Sequence, residues 1–230
     1  MERKKERKIA LRVLLLIVAI AMFAIPASAA KTLAVGQQGR YYITKNGSTT
    51  YVKKFTTSKK SVVSISKKSG MYTIVTAKKK GTATIKAKVG KKTKSMKIKV
   101  HKNSMTYSPR TMYACNYSEV EVYMTSASVN AAGTMTANLT ILGKSGTWKI
   151  SSLQWCPYIE ENGSKYNLFN TNTFKTLNIN RTIAPGQTIN FTVTIPRSEF
   201  EYSDGFYQVP DLTKRDSGIF VYKISGSQVS

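Results

Sequence analysis

The feature that most constrains the fold is a strict alternation of apolar and polar residues over positions 83–100. The apolar positions of the first run are Ala83, Ile85, Ala87 and Val89, and those of the second run are Met96, Ile98 and Val100. Period-two alternation is typical of a β-strand that buries one of its two faces. Residues 90–93 separate the two runs and begin with Gly90, so the stretch predicts a β-hairpin with a turn at that point.

Most polar positions of this hairpin are lysine, and ten of the 23 residues at positions 78–100 are lysine. Side chains of one face are two residues apart, so Lys86, Lys88, Lys97 and Lys99 are predicted to share one outer face. Lysines directly opposite one another would cost a few tenths of a kcal/mol per pair. One interpretation is that the lysines provide solubility and protect a sheet edge, and the other is that they bind an anionic ligand. The candidate polyanion-binding residues are Lys78, Lys79, Lys80, Lys86, Lys88, Lys91, Lys92, Lys97 and Lys99.

The first 29 residues have the organisation of a secretory signal peptide. A basic start is followed by an apolar run at residues 13–25 and by the small residues Ala27-Ser28-Ala29. A membrane-spanning helix needs about 20 apolar residues, so this run favours cleavage over retention as an anchor, which is the alternative. We therefore expect a secreted, extracellular protein, either free or associated with the cell wall.

The charge distribution divides the rest of the chain in two. Residues 31–102 contain 20 Lys and Arg and no Asp or Glu, whereas residues 103–230 contain ten Lys and Arg and nine Asp and Glu. An abrupt change of this kind indicates a domain boundary, which we place at residues 101–104. Short alternating runs separated by turn residues continue through both parts. The sequence thus predicts an all-β protein with two tandem Ig-like β-sandwich domains, 30–102 and 103–230.

Short motifs follow one another in order along the first domain: Leu-Ala-Val-Gly at 33–36, Phe-Thr-Thr-Ser at 55–58 and Val-Ser-Ile at 63–65. Val-Thr-Ala at 75–77, Gly-Thr-Ala-Thr-Ile at 81–85 and Ile-Lys-Val at 98–100 complete the series. Their order and spacing resemble the bacterial immunoglobulin-like domain, group 2. The resemblance implies a small sandwich of the kind found in bacterial surface and adhesion proteins, without catalytic residues. Phe55, where the family usually has tryptophan, and the lack of acidic residues depart from the family pattern.

The only two cysteines, Cys115 and Cys156, both fall in the second domain. In an exported protein they predict a disulfide, which would close a loop of about 40 residues and contribute about 3–4 kcal/mol. The alternative is a pair of buried free thiols.

Few residues suggest catalysis, and we expect no enzyme activity, no metal and no cofactor. The single histidine, His101, is predicted to be a solvent-facing residue of the interdomain junction. Glu199 and Glu201 would be the first candidates for glycoside hydrolysis, although solvated loop carboxylates explain them as well.

Aromatic residues of the second domain could stack on sugar rings, because a flat apolar face with a polar edge suits carbohydrates. The candidates are Trp155, Tyr158, Tyr202 and Tyr207, and the alternative is that these rings belong to the core.

Three functions remain open on the sequence alone. The first is a non-enzymatic surface or adhesion protein whose basic domain associates with anionic wall or host polysaccharide, while the second domain contacts a protein partner or a glycan. The second is a carbohydrate-binding or glycan-active protein that acts through the second domain. The third is binding of extracellular nucleic acid, for which a basic stripe supplies sequence-independent phosphate contacts. The cationic field makes incidental nucleic-acid binding expected in any case.

Overall fold

The computed structural model of this protein describes residues 31–108, 110, 112–214 and 216–229. The predicted signal peptide at residues 1–29 lies outside the described residues. Within them the regular structure consists of β-strands and one short 3-10 helix, so the prediction of an all-β protein is confirmed. No helix in this described part is long and apolar enough to span a membrane.

Residues 31–102, hereafter the N-terminal segment, form two four-stranded sheets. The strands are β1 Lys31–Ala34, β2 Gln38–Lys45, β3 Ser48–Thr50, β4 Lys54–Thr57, β5 Val63–Ile65, β6 Tyr72–Ala77, β7 Gly81–Val89 and β8 Lys92–His101. One sheet has the order β1-β8-β7-β4 and the other β3-β2-β6-β5. Strand β1 runs parallel to β8, and the other pairs are antiparallel. Side chains of both sheets, among them Phe55, Ile85 and Val75, form one buried apolar cluster.

The described residues from 103 onward, hereafter the C-terminal segment, contain the remaining strands. They are β9 Ser104–Thr106, β10 Tyr113–Asn116, β11 Val120–Val129, β12 Met135–Gly143, β13 Trp148–Glu161, β14 Ser164–Asn167, β15 Lys175–Ile183, β16 Thr188–Ile195, β17 Tyr202–Ser203, β18 Phe206–Tyr207 and β19 Ser217–Gln228. One sheet has the order β10-β11-β12-β16, with β9 also on β11. In a second sheet β13 pairs with β14, β15 and β19, and a second buried cluster takes side chains from both sheets.

The predicted hairpin is strands β7 and β8, with a tighter turn than the four residues expected. Val89 pairs with Lys92, so only Gly90 and Lys91 form the loop. Gly90 has φ of +58°, a backbone conformation that glycine adopts without steric cost. A glycine at the first of two loop residues is what a tight type II′ hairpin turn requires.

The two segments contact each other closely at the predicted domain boundary. Only two residues separate β8 from β9, and the second of them, Asn103, is buried. Its side-chain Nδ2 donates to the carbonyls of Val35 and Pro210, both at 2.9 Å, and its Oδ1 accepts from the Leu212 backbone N–H at 2.8 Å. The junction is therefore a packed, hydrogen-bonded interface.

Gly36 allows the closest approach between the segments. Its φ is +87°, and a Cβ placed there would lie 2.4 Å from Cγ1 of Val129 in the C-terminal segment. The Gly36 carbonyl in turn accepts a hydrogen bond from Arg197 Nη2 at 2.9 Å. Any side chain at this position would push the two segments apart.

Candidate polyanion-binding surface

Five lysines project from the outer side of the sheet β1-β8-β7-β4. Opposite them, on the inner side, Phe55, Ile85 and Ile98 are fully buried. The five exposed residues, hereafter the lysine face, are Lys54, Lys86, Lys88, Lys97 and Lys99. The structure thus places the four lysines singled out from the hairpin pattern on one face and adds Lys54 from β4. They lie on this face because the apolar residues that alternate with them are buried on the opposite face of the sheet.

Lysine and hydroxyl side chains alternate across this face. The cross-strand pairs are Lys86 with Ser95, Lys88 with Thr93, Lys97 with Thr84, and Lys99 with Thr82. The expectation of lysines opposite lysines across the hairpin is therefore wrong, because the two-residue turn sets a register that opposes each ammonium with a small hydroxyl. The exception lies across β4 and β7, where Lys54 pairs with Lys88.

The remaining candidate lysines lie at the two ends of β7. Lys78, Lys79 and Lys80 are exposed in the connection between β6 and β7, and Lys91 and Lys92 are exposed at the hairpin turn. A nine-residue strand is about 26 Å long at 3.3 Å per residue, so the two groups bracket the lysine face. Together they form a cationic strip along one strand direction.

No ion pair of the described residues neutralises the lysine face. The four ion pairs among the described residues all lie elsewhere, and they are His101–Asp211, Arg110–Glu121, Lys165–Glu160 and Lys175–Glu199. Every carboxylate among them belongs to the C-terminal segment, since residues 31–102 contain no Asp or Glu. The face is thus an uncompensated array of ammonium and hydroxyl groups, and such arrays attract anionic polymers.

His101 is half-buried at the segment interface, which corrects the prediction of a solvent-facing residue. Its Nε2 lies 3.1 Å from both carboxylate oxygens of Asp211 and 3.3 Å from Oγ1 of Thr213. Burial acts to raise the pKa of Asp211, but hydrogen bonds from Thr213 and His101 outweigh burial and hold this pKa below its ordinary value. In a catalytic triad the carboxylate and the nucleophile contact different nitrogens of the histidine ring. Here Asp211 and Thr213 both contact Nε2, so the cluster lacks the triad arrangement and is a contact of the interface.

The two glutamates considered for hydrolysis lie in different surroundings. Glu199 lies in the 3-10 helix Arg197–Glu199 and forms an ion pair with Lys175, while Glu201 is exposed. In the part of the chain that the structure describes, no three His, Cys, Asp or Glu side chains converge as metal ligands.

Cys115 and Cys156 are free thiols, so the disulfide prediction is wrong. Cys115 lies on β10 and Cys156 on β13, in different sheets, and each packs at the buried cluster of the C-terminal segment. Burial raises the pKa of both thiols to about 12. Both groups therefore stay protonated and unreactive at neutral pH.

The four aromatic candidates for sugar stacking divide into two groups. Trp155 and Tyr158 are each only 6% exposed, and Trp155 packs edge-on to Phe169 with centroids 5.5 Å apart. These two belong to the core and cannot present a ring to a ligand. Tyr202, which is 60% exposed, and Tyr207 form an edge-on pair with centroids 5.0 Å apart across β17 and β18.

A cleft that the sequence did not reveal lies where the two sheets of the C-terminal segment open. Its volume is about 330 Å³, and Tyr117, Trp148 and Ile224 line it, with Glu119 and Lys223 contributing opposite charges. Trp148 Nε1 donates to the Ser145 carbonyl at 3.0 Å, and Tyr117 Oη donates to the Tyr222 carbonyl at 3.2 Å. Both rings are thereby held in place at the cleft.

In comparisons with known proteins, no family model matches the sequence, and no curated protein is significantly similar to it.

Proposed function

We propose that this chain is an exported, non-enzymatic surface protein that associates with anionic polymers through its N-terminal segment. In this proposal residues 30–102 and 103–230 are tandem Ig-like domains, in keeping with two separate buried clusters and with the absence of strand pairs between the segments in the described chain. The observation that carries the proposal is the lysine face, where five outward ammonium groups have no carboxylate partner.

The chemistry of the face favours phosphate-bearing or carboxylate-bearing wall and host polysaccharides over nucleic acid as the dedicated ligand. Single-stranded nucleic acid is usually held by aromatic rings that stack on bases beside a basic groove. The exposed tyrosines nearest in sequence, Tyr42 and Tyr51, lie outside this sheet, and Tyr41 is buried against Phe55. Threonine and serine between the lysines can instead donate hydrogen bonds to sugar or phosphate oxygens.

Retention on isolated bacterial cell walls across a salt series tests the proposal. Changing Lys86, Lys88, Lys97 and Lys99 to Gln is expected to abolish retention at moderate salt. If each lysine makes one phosphate contact, the plot of log affinity against log salt becomes shallower by about 3 units. The matched control changes Lys45, Lys59, Lys60 and Lys149 to Gln, which removes the same charge from outside the face, and it should keep most of the slope. Equal losses in both variants would contradict a specific role for this face.

The cleft at Trp148 favours a second candidate function, binding of a neutral oligosaccharide. Aromatic rings with a nearby carboxylate and ammonium can stack on a sugar and bind its hydroxyls. Trp148 and the buried Trp155 are the only tryptophans, so acrylamide quenching of fluorescence reports chiefly on Trp148. A chitotetraose or cellotetraose titration is expected to protect Trp148 in the wild type but not in Tyr117→Ala, while Tyr202→Ala behaves as wild type. Absence of protection by both sugars in the wild type would exclude this function.

A further inference from the structure

Strand β16 is a sheet edge with one hydrogen-bonded neighbour. It pairs with β12 over its whole length, from Thr188 opposite Leu142 to Ile195 opposite Met135. The sheet order ends at β16, so alternate backbone N–H and C=O groups of eight residues point away from the sheet. Such a row of unpaired groups is a template for another strand.

The other edge strands of the described chain carry features that discourage pairing. Charged residues lie on β1, β4, β14, β15 and β19, at Lys31, Lys54, Lys165, Lys175, Arg181 and Lys223. Register shifts further interrupt the pairing of β13 with β15 and with β19. The uncharged edges β3, β5, β9, β10, β17 and β18 have only two to four residues. Strand β16 has eight residues, no charge, no proline and no register shift, so no protective feature of this kind is present.

The side chains of β16 are suited to a flat, uncharged contact. On the outer face Thr192 donates to Asn138 Oδ1 and Asn190 accepts from Thr140 Oγ1, both at 2.7 Å, which fixes the polar row against β12. On the inner face Ile189 and Val193 are buried, whereas Phe191 between them is only half-buried. Part of an aromatic ring thus remains uncovered at the middle of the edge.

We propose that β16 of a second copy of this chain pairs antiparallel with β16, which joins the two sheets into one. Residues directly opposite each other in an antiparallel pair lie on the same face of the sheet. Because one face of β16 carries the odd-numbered residues and the other the even-numbered ones, each residue must pair with one of the same kind. Centring the two-fold axis on Phe191 meets this condition and places each half-covered ring against its own copy. Asn190 then lies opposite Thr192, Ile189 opposite Val193, and Thr188 opposite Thr194, which matches polar with polar and apolar with apolar.

A second copy fits this edge better than an unrelated strand because the contact is complementary to itself under two-fold symmetry. The strand carries no charge that would oppose its own copy, although the chain as a whole has a formal charge of +25. Once β16 is paired, no unprotected edge is left among the described strands, so assembly stops at two chains. The dimer would present two lysine faces, which raises avidity for a polymer without any new contact, but the inference does not depend on polymer binding.

Sedimentation velocity and light scattering of the purified protein test the pair directly. Salt is kept at or above the physiological level, where charge repulsion is screened within about 8 Å. The wild type is expected to have the mass of two chains at tens of micromolar protein. Changing both Thr188 and Thr194 to Lys places lysines opposite each other twice in the proposed register, so this variant is expected to have the mass of one chain. Neither threonine has a side-chain hydrogen bond within the described sheet that the change would remove.

The matched control combines Thr188→Lys with Thr194→Glu. In the proposed register it sets opposite charges against each other at both positions, so the mass of two chains should return. A wild type with the mass of one chain, or a Lys and Lys variant that remains paired, overturns the proposal. A charge-complementary variant that fails to pair, while its circular dichroism matches the wild type, overturns the register centred on Phe191. Assemblies larger than two chains overturn the closed pair.

Discussion

Replacing Phe55 by alanine is expected to lower the free energy of unfolding of the N-terminal segment by about 3–5 kcal/mol. The ring is 1% exposed, lies on β4 between the two sheets, and packs edge-on to Tyr41 with centroids 6.0 Å apart. Removing it deletes buried apolar surface and leaves a cavity whose walls belong to two hydrogen-bonded sheets, which limits how far they can collapse. For a segment of about 70 residues this is a large part of the stability available.

The measurement can separate the two segments because both tryptophans lie in the C-terminal one. Urea unfolding followed by far-ultraviolet circular dichroism reports both segments, whereas tryptophan emission reports the C-terminal segment. Phe55→Ala should shift the part of the dichroism transition that belongs to the N-terminal segment to lower urea. The emission transition should shift less, because the C-terminal segment loses only the contacts at the interface. Tyr51→Ala, at a site 57% exposed, serves as the control and should change stability by at most about 0.5 kcal/mol. A loss below about 1 kcal/mol for Phe55→Ala would contradict a tightly packed core at this position.

The alternation in the sequence predicted the strands and the exposed lysines well. When the apolar residues of β7 and β8 are buried on one face, the residues between them must lie on the exposed face. The alternation did not predict the cross-strand partners, which depend on the loop length. Once Gly90 with its φ of +58° forms a two-residue turn, Lys86 lies opposite Ser95 rather than another lysine. Burial sets the face of a side chain, whereas turn geometry sets its neighbour.

Which tryptophan is the less buried could not be deduced from the pattern, because the set of residues that faces the core changes along β13. A register shift lies between Ile150 and Ser152. Before it the even-numbered residue Ile150 faces the core, and after it the odd-numbered residues Leu153 and Trp155 do. The predicted sugar-stacking residue Trp155 is consequently core, and Trp148 at the start of the strand lines the cleft. Bulges of this type leave no clear mark in a single sequence.

The interface between the segments was also beyond the reach of local patterns. His101 and Asn103 lie beside an abrupt change of charge, which indicated a domain boundary, yet their partners in the C-terminal segment are about 110 positions away. A hydrogen bond over such a separation has no periodic signal in the sequence. The one local signal is the two-residue connection between β8 and β9, which contains the polar residue Asn103 and no glycine or proline.

Changing Asn103 to alanine is expected to destabilise this interface by about 3–6 kcal/mol. The side chain is 2% exposed and satisfies three backbone groups, namely the carbonyls of Val35 and Pro210 and the N–H of Leu212. Each buried polar group left without a partner costs about 1–3 kcal/mol, and the three losses combine less than additively because they share one site. The Asn103 carbonyl still accepts from Val129 N–H at 2.7 Å, so β11 keeps its local backbone contact.

The expected signature is a loss of coupling between the segments as well as of stability. In the wild type the shared interface should hold the dichroism and emission transitions close together, whereas in Asn103→Ala they should separate along the urea axis. Asn178→Ala, an exposed asparagine on β15, is the matched control and should leave both transitions within about 0.5 kcal/mol of wild type. Asn103→Asp keeps the acceptor for Leu212 but sets a carboxylate against two carbonyls, so it should be at least as destabilising as alanine. Coincident, unshifted transitions in Asn103→Ala would mean that the segments are held together by His101, Arg197 and the close contact at Gly36 instead.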